Sequence, residues 1–478
     1  MKIGKEHTIK TDICIIGGGI IGSIVASEVA EKGFNVMVLE VLNNKAPFNL
    51  NSKNIRIDQQ ANNFGIGGNE KIWSQLASFI DQEEWKFYSN KYNIELEYDE
   101  LLELEKKAQL YGFCDLKTLK SSPEREPNSL TKFKKYVKRK GLYCYSDLIK
   151  NRGNISIVEC KIRQVDIENS HNRIQIIDSN NNELKIKFKK MVLASGGIGN
   201  YYFVNKFLNK YIKVKNEGEI KLHSKFYLGY YSADDKNKLN QMFGWKSANG
   251  LNYFYGIVNR PDDISGNYNE DMYQFLPVRW FENAHYLYIK TVLWHKTFKE
   301  LVELFKDLYS TYKLKIFYSP TLLKIVKSVI FGLPSIFIFI ISKVLKIKWK
   351  SSKYLLLYHH SNTGTIFYNK LSDSVWIDSN IESHDIHKIK EKLEKKLIGS
   401  GLVNIKEFSN FNIQDANHFN GALACNIDRS MSEVFSGSLD YNNTIFSVGT
   451  SNIPFSTNIN PTFLAICSAF LTIDRVTK

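Results

Sequence analysis

The chain has 478 residues with 43% hydrophobic and 13% aromatic content, enough to bury a large core, and its length predicts two or three domains. That excludes a disordered tail or a mini-protein. Lys and Arg number 64 against 49 Asp and Glu, a formal charge of +15, which keeps nucleic acid, phosphate-bearing molecules and anionic membrane open as partners. Six cysteines, Cys14, Cys114, Cys144, Cys160, Cys425 and Cys467, form no C-x-x-C pair. Their scatter argues against a zinc site or a disulfide framework and for a reducing compartment. The opening MKIGKEHTIKTD has no apolar core or cleavage site, so the apolar run at 13–16 is expected to be a strand and not a signal peptide.

Residues 12–40, DICIIGGGIIGSIVASEVAEKGFNVMVLE, place an apolar strand before Gly17, Gly19 and Gly22, then a helix opened by Ile20, then a second strand ending at Glu40. Gly17 permits the tight turn, Gly19 lets backbone approach a pyrophosphate, and Gly22 lets the helix lie close to the strand. The helix N-terminus offers unpaired N–H groups to phosphates. Glu40, eighteen residues beyond Gly22, can accept from a ribose hydroxyl, which fits FAD or NAD and disfavours NADP.

Further along, FGIGGNEKIWSQLA at 64–77 predicts a glycine-rich loop holding Gly67, Gly68 and Asn69, then a helix carrying Trp73. Backbone there can approach a flat ring, although a plain turn before a helix reads the same way. YDELLELEKKAQLYGF predicts a helix with one apolar stripe, and the basic run KFKKYVKRKG at 132–141 is expected to be a solvated helix face. NISIVECKIRQVDI at 154–167 and the later ELKIKF predict hairpin strands, followed by a buried strand at 191–194 that runs into Ser195, Gly196 and Gly197.

Residues 221–410 are rich in Tyr, Trp and Phe and contain apparent strands such as EDMYQFLPVRWF and YLLLYHHSNTGTIFY. Their aromatics suit stacking on a sugar ring or ordinary core packing. His359 and His360 alternate along one strand and are expected to lie outside the site, His384 and His387 read as surface, and no metal-ligand spacing occurs. Between Asp307 and Asp373 there is no acidic residue but ten lysines, flanking the uncharged SVIFGLPSIFIFIIS at 328–342. A helix of that length covers roughly 22 Å, short of a hydrocarbon core of ~30 Å, and Gly332 and Pro334 interrupt it. The stretch 313–353 therefore suits an interfacial segment on an anionic leaflet, or a buried hairpin with a lysine rim.

The C-terminal part holds NHFNGALAC at 417–425, then NNTIFSVGTSNIPFSTNINPTFLAICSAFLTIDRV, which predicts a strand, a polar loop and a final apolar helix. Pro461 suits the first position of that helix and Asn460 its cap.

Five islands, at 12–40, 65–73, 154–162, 192–200 and from His418 to the end, together resemble the glucose-methanol-choline family of FAD-dependent oxidoreductases. The likeness is greatest to its short bacterial sugar-dehydrogenase-like branch, some of whose members lie in polysaccharide pathways. The resemblance implies an α/β fold. A Rossmann-like FAD-binding domain with a parallel sheet would be built from 1–85, 151–220 and 411–478, with a helical connection at 86–150. An α+β substrate domain with a mostly antiparallel sheet would occupy 221–410. It also implies that the second island lines the flavin ring, that Ile162 gives a backbone contact to adenine, and that Ser195 and Gly196 close the FAD site. His418 falls on the catalytic base, Asn460 on the second active-site position, and Gly449, Thr450 and Ser451 where the family brings backbone up to the flavin, with Asn460 and Pro461 also at the cofactor. Many members carry an acid where this chain has Gly449. No His lies between Gly68 and Ala77, so FAD is expected to be non-covalent.

The expected reaction is oxidation of a CH–OH group of a sugar, polyol or lipid-linked glycan, with hydride passing to flavin N5. An imidazole with a pKa near neutrality suits the proton removal. The acceptor would be oxygen, a quinone or a protein, and the protein would be cytoplasmic, held peripherally at the inner face of the membrane. Two other readings stand: a non-redox or degenerate FAD-binding protein, such as a nucleotide-sugar isomerase or scaffold, and a flavin monooxygenase or lipid reductase. The latter should carry a late Gly-Asp box where this chain has VGTSNIP. Nucleic acid is disfavoured, because the lysines alternate with bulky aliphatics and lack an aromatic or Arg-rich platform.

Overall fold

The computed structural model describes residues 7–42, 45–57, 65–66, 68, 76–78, 80, 82–111, 136–138, 145–150, 152–168, 172–233, 244–248, 251–259, 270–277, 353–381, 386–388, 390–391, 402–407, 414–415, 418–456 and 461–478. The chain opens with β1 (His7–Lys10), β2 (Ile13–Ile16), α1 (Ile20–Glu31), β3 (Val36–Val41) and β4 (Asn49–Lys53). There follow β5 (Leu76–Ser78), α2 (Gln82–Tyr92), α3 (Tyr98–Gln109), β6 (Tyr136–Lys138) and α4 (Asp147–Lys150). A hairpin region supplies β7 (Ile155–Asp166), β8 (Asn172–Asp178) and β9 (Glu183–Phe188), then β10 (Lys190–Leu193) and α5 (Gly196–Phe203). The long strands β11 (Glu217–Ala233) and β15 (Lys353–Asn369) frame β12 (Gly244–Ala248), β13 (Leu251–Asn259) and β14 (Glu270–Pro277). The chain closes with β16 (Ser374–Ser379), β17 (Leu402–Glu407), β18 (Gln414–Asp415), α6 (Met431–Phe435), β19 (Ile445–Ser447) and α7 (Thr462–Val476).

One sheet has eight strands in the order β1-β9-β8-β7-β3-β2-β10-β19. Its run from β7 through β3, β2 and β10 to β19 is parallel throughout. Alternate residues of the central strands face opposite sides, and both sides are buried, as a parallel sheet requires. On one side Ile13, Ile15, Val36, Val38, Val192 and Phe446 meet Ile24, Val25 and Val29 of α1 and Phe463, Ile466, Phe470 and Ile473 of α7. On the other, Cys14, Ile16, Met37, Leu39, Met191 and Leu193 meet Tyr201 and Tyr202 of α5 and Ile220, Leu222, Ile366 and Ile377 of the second sheet. Each such side chain contributes roughly 1.5–3 kcal/mol on burial, so the two faces weld α1, α7 and the second sheet onto one framework.

The second sheet has nine strands, with β12-β13-β14-β15-β11-β17 in order. These pairings are antiparallel, while β4 from the N-terminal part joins its β16 edge in parallel. Two local expectations are corrected. The pattern after Trp73 predicts helix, yet Leu76–Ser78 is a strand; and the basic run 132–141, whose pattern predicts a helix face, contributes β6, which pairs antiparallel with β5. Backbone pairing between two short segments overrides local helix preference in both. The lysine-flanked stretch 313–353 lies outside the described residues except for Lys353, which starts β15. Among the described residues no helix is long and apolar enough to cross a membrane.

Helix α3 carries a buried carboxyl, Glu105, against the first core. It accepts from the Ile80 N–H, its Oε2 has no partner among the described residues, and burial pushes it up to about 8. The folded state therefore holds a proton that the unfolded chain releases near the ordinary value of 4.5. The stabilising contribution is present below that value and is lost as pH rises toward about 8. Thermal melts across this window are expected to show stability falling with pH. In Glu105→Gln, which keeps the shape without the ionisation, that part of the slope should vanish; an unchanged slope would exclude Glu105 as its origin.

Candidate active site

The parallel strands β2, β10 and β19 end side by side, and each leads into a glycine-bearing turn. After β2, Gly17 has φ +104°, and a Cβ there would lie 2.7 Å from the Ala194 carbonyl oxygen. A Cβ on Gly22 would lie 2.0 Å from the Gly17 carbonyl oxygen. No side chain fits at either position, so α1 is drawn down onto the strand end. Gly19, by contrast, caps α1, and a Cβ there would meet nothing within 4 Å among the described residues. The first turn of α1, with Gly19 and Ile20 half-buried, carries N–H groups that the helix itself does not satisfy.

Glu40, near the end of β3, is buried. Its Oε2 accepts from the Gly18 N–H at 2.7 Å and its Oε1 from the Val41 N–H at 2.8 Å. Burial raises its pKa, and backbone donors, including Gly65, pull the other way. The acid expected to meet a ribose thus also braces the glycine loop itself. Ile66 packs above Gly18, its Cδ1 being 2.8 Å from where a Cβ on Gly18 would stand, so the second island meets the first. Of that island's candidates Gly68 is described, with φ +50°. Gly67, Asn69 and Trp73 lie outside the described residues. Ile162 sits on β7 just past its parallel pairing with β3, at an irregularity in its register with β8.

After β10, Ser195 Oγ donates to the Ile16 carbonyl at 3.0 Å, and Gly196 has φ +79° with none of the described residues where a Cβ would stand. Asn200, unrecognised in the sequence, is fully buried and ties the strand ends together. Its Oδ1 accepts from the Ser195 N–H at 2.7 Å, and its Nδ2 contacts the carbonyls of Leu193 and Val448 and the Ser451 Oγ. A signal was available: one amide in GGIGNYYF, inside otherwise apolar surroundings, must find partners.

After β19, Gly449 adopts φ +100°, again with none of the described residues within 4 Å of where a Cβ would stand, and Thr450 begins a single 3-10 turn. This turn receives the His418 box. The Thr450 carbonyl accepts from the Gly421 N–H at 3.0 Å, and the Ser451 carbonyl from the N–H groups of Leu423 and Ala424. A Cβ on Gly197 would lie 2.2 Å from the Phe419 carbonyl oxygen, so this box also presses on the turn after β10.

His418 is half-buried, and its Nδ1 lies 3.0 Å from Nδ1 of the buried His223 on β11, a residue that sequence reasoning did not single out. Burial pushes the His418 pKa down to about 3, with the Lys225 charge acting in the same direction. The expectation of an imidazole near neutrality is thus corrected: desolvation keeps this ring neutral, with a lone pair on one of its two nitrogens. Asn460 lies outside the described residues. Pro461 is buried at the head of α7, where its carbonyl accepts from the Ala465 N–H at 2.9 Å. His359 and His360 pair in backbone register with Lys225 and Ser224 of β11. Among the described residues no group of three His, Cys, Asp or Glu is placed to hold a metal ion.

No protein-family model and no curated protein matches this chain. Solved structures do. A formate oxidase aligns over 98% of both chains with a TM-score of 0.59 at 12% identity. A variant of the Aspergillus oryzae RIB40 formate oxidase, solved to follow FAD modification, aligns over the same shares with a TM-score of 0.56 at 12% identity. Pyridoxine 4-oxidase from Mesorbium loti aligns over 97% of this chain and 98% of its own, with a TM-score of 0.52 at 12% identity. These likenesses run from end to end of the chain and establish that it has the fold shared by those oxidases.

Proposed function

We propose that this chain is an FAD-dependent oxidoreductase of the glucose-methanol-choline type that oxidises the alcohol group of a small molecule, with His418 as the base. The observation that carries the reading is convergence. Three turns remote in sequence, at 17–22, 195–197 and 449–451, stand together at the ends of parallel strands, and the His418 box is hydrogen-bonded onto the third. Crevices at the carboxyl ends of parallel strands are where such sheets bind ligands.

The residues present fit FAD. Among the described residues nothing stands where side chains would project from Gly19, Gly196 and Gly449, and the α1 N-terminus suits a pyrophosphate. Glu40 and Ile162 would hold the adenosine part, and Ser195, Gly449 and Thr450 the isoalloxazine end. When bound, FAD supplies the two-electron acceptor for the oxidation. His418 orients the substrate hydroxyl and takes its proton on Nε2, the ring nitrogen that does not face His223. Asn460 is proposed as the second group on the hydroxyl, donating without competing for the proton. Sugars, polyols and lipid-linked glycan alcohols are the substrate classes proposed, with oxygen, a quinone or a protein as final acceptor. The likeness to a formate oxidase and a pyridoxine 4-oxidase favours redox chemistry over the non-redox alternative.

Anaerobic addition of a panel of alcohols to the purified flavoprotein should bleach the flavin, and bleaching by none of them would favour the non-redox reading. His418→Asn should retain FAD but be reduced at least ~100-fold more slowly; a variant reduced at the wild-type rate would remove His418 from the mechanism. Glu40→Ala takes the acceptor from the Gly18 N–H and should weaken FAD retention by roughly tenfold, measured by titrating apoprotein with FAD. Equal affinity would show that neither the loop brace nor the ribose contact matters.

A further inference from the structure

We propose that His223 is a positioning residue for His418: it accepts the His418 Nδ1–H and so fixes His418 in the tautomer whose Nε2 carries the free lone pair. The assignment rests on the base role proposed for His418. Its geometry does not. Lys221 and Asn420 exchange both backbone hydrogen bonds at 2.9 Å, an isolated antiparallel bridge between β11 and the His418 box. In an antiparallel pair, moving two residues up one strand and two down the other reaches the next pair on the same face. From Lys221 and Asn420 that step arrives at His223 and His418. The two rings are therefore a cross-strand pair, with centroids 5.0 Å apart and Nδ1 atoms at 3.0 Å.

A contact of 3.0 Å between two ring nitrogens holds one proton between them, so one ring donates and the other accepts. If His418 accepted, its own proton would sit on Nε2, and that nitrogen would have no lone pair for a substrate hydroxyl. If His418 donates, Nε2 is free. After Nε2 takes the substrate proton, both nitrogens of His418 carry hydrogen, and only an accepting His223 keeps the contact intact. One arrangement thus serves both protonation states without moving a proton between the rings. It also places a neutral acceptor against a ring whose cationic form is disfavoured by burial and by Lys225. A hydrogen-bond partner on one ring nitrogen fixing the state of the other is general for histidine.

Two measurements on the FAD-loaded, full-length protein test this. Long-range 15N–1H correlation spectra of protein carrying 15N-histidine, with the two rings assigned from the His418→Asn and His223→Asn spectra, report the tautomers directly. His418 protonated on Nδ1 and bare on Nε2 is expected, and protonation on Nε2 overturns the proposal in the wild-type protein. His223→Leu removes the acceptor, whereas His223→Asn keeps an acceptor oxygen near the position of Nδ1. Flavin bleaching at saturating alcohol should slow by roughly 100-fold in His223→Leu and return to within roughly tenfold of wild type in His223→Asn. Equal rates in His223→Leu and wild type, with His418→Asn inactive, overturn the positioning role and leave the base role standing. A His418→Asn variant that bleaches normally overturns the base role, while the tautomer spectrum still reads the pair. If His223→Leu fails to fold, the spectrum and the His223→Asn rate decide.

Discussion

Backbone passing backbone with no side chain between is the constraint on which the candidate site depends. A Cβ on Gly17 would stand 2.7 Å from the Ala194 carbonyl oxygen, one on Gly22 2.0 Å from that of Gly17, and one on Gly197 2.2 Å from that of Phe419. These approaches stack the turn after β2, the start of α1, the turn after β10 and the His418 box in sequence. Each distance is well inside van der Waals contact, so an alanine at any of them would push a whole element away and not merely a side chain. The neighbouring glycines, Gly19, Gly196 and Gly449, meet none of the described residues there. Some glycines close the framework, and the others leave it accessible.

Close approach alone does not hold strand ends in register, because carbonyls brought together without donors repel. Buried amides and one carboxylate supply the donors and acceptors. Asn200 reaches Ser195, Leu193, Val448 and Ser451 at once. Asn452 contacts Ser447 through both its oxygen and its nitrogen, and the Asn420 Nδ2 donates to the Phe455 carbonyl. Glu40 does the same for the Gly18 N–H. A buried hydrogen bond is worth little net, but losing one partner strands the other at a cost of about 1–3 kcal/mol. The polar residues of this region therefore specify the arrangement more than they stabilise it.

What was legible follows from the range of the interaction. The fingerprint at 12–40 is a local object in which turn, helix packing and acid occur within thirty residues, so its glycines and Glu40 could be named from spacing. The strands β7 to β10 were legible through alternation and the polar turn between them. His223 was not: it lies 195 residues from His418, and in sequence it is only one polar residue on an alternating strand. Its role depends on the Lys221–Asn420 bridge, which has no sequence signature. The strands β5 and β6 are not legible for a related reason. Three residues carry too little periodicity to outvote the helical pattern around them, and only their mutual pairing makes them strands.

The same strand that positions His418 also sets its electrostatics, and its two lysines act differently. Lys221 is buried, yet its ammonium meets the Glu219 carboxylate and donates to Thr363 Oγ1 at 3.2 Å, so its charge is matched on the spot. Tyr92 and Cys425 also lie close enough to feel it. Lys225, four residues on, is the charge that opposes a cation on His418. Because residues two apart on a strand share a face, Lys221, His223 and Lys225 form one row of matched charge, neutral acceptor and opposing charge. Shifting β11 by one residue would replace His223 with Leu222 or Ser224 and turn the whole row away from the His418 box. The two-way Lys221–Asn420 bridge prevents that slip, so the register of one antiparallel contact decides both where the imidazole points and how costly its protonation is.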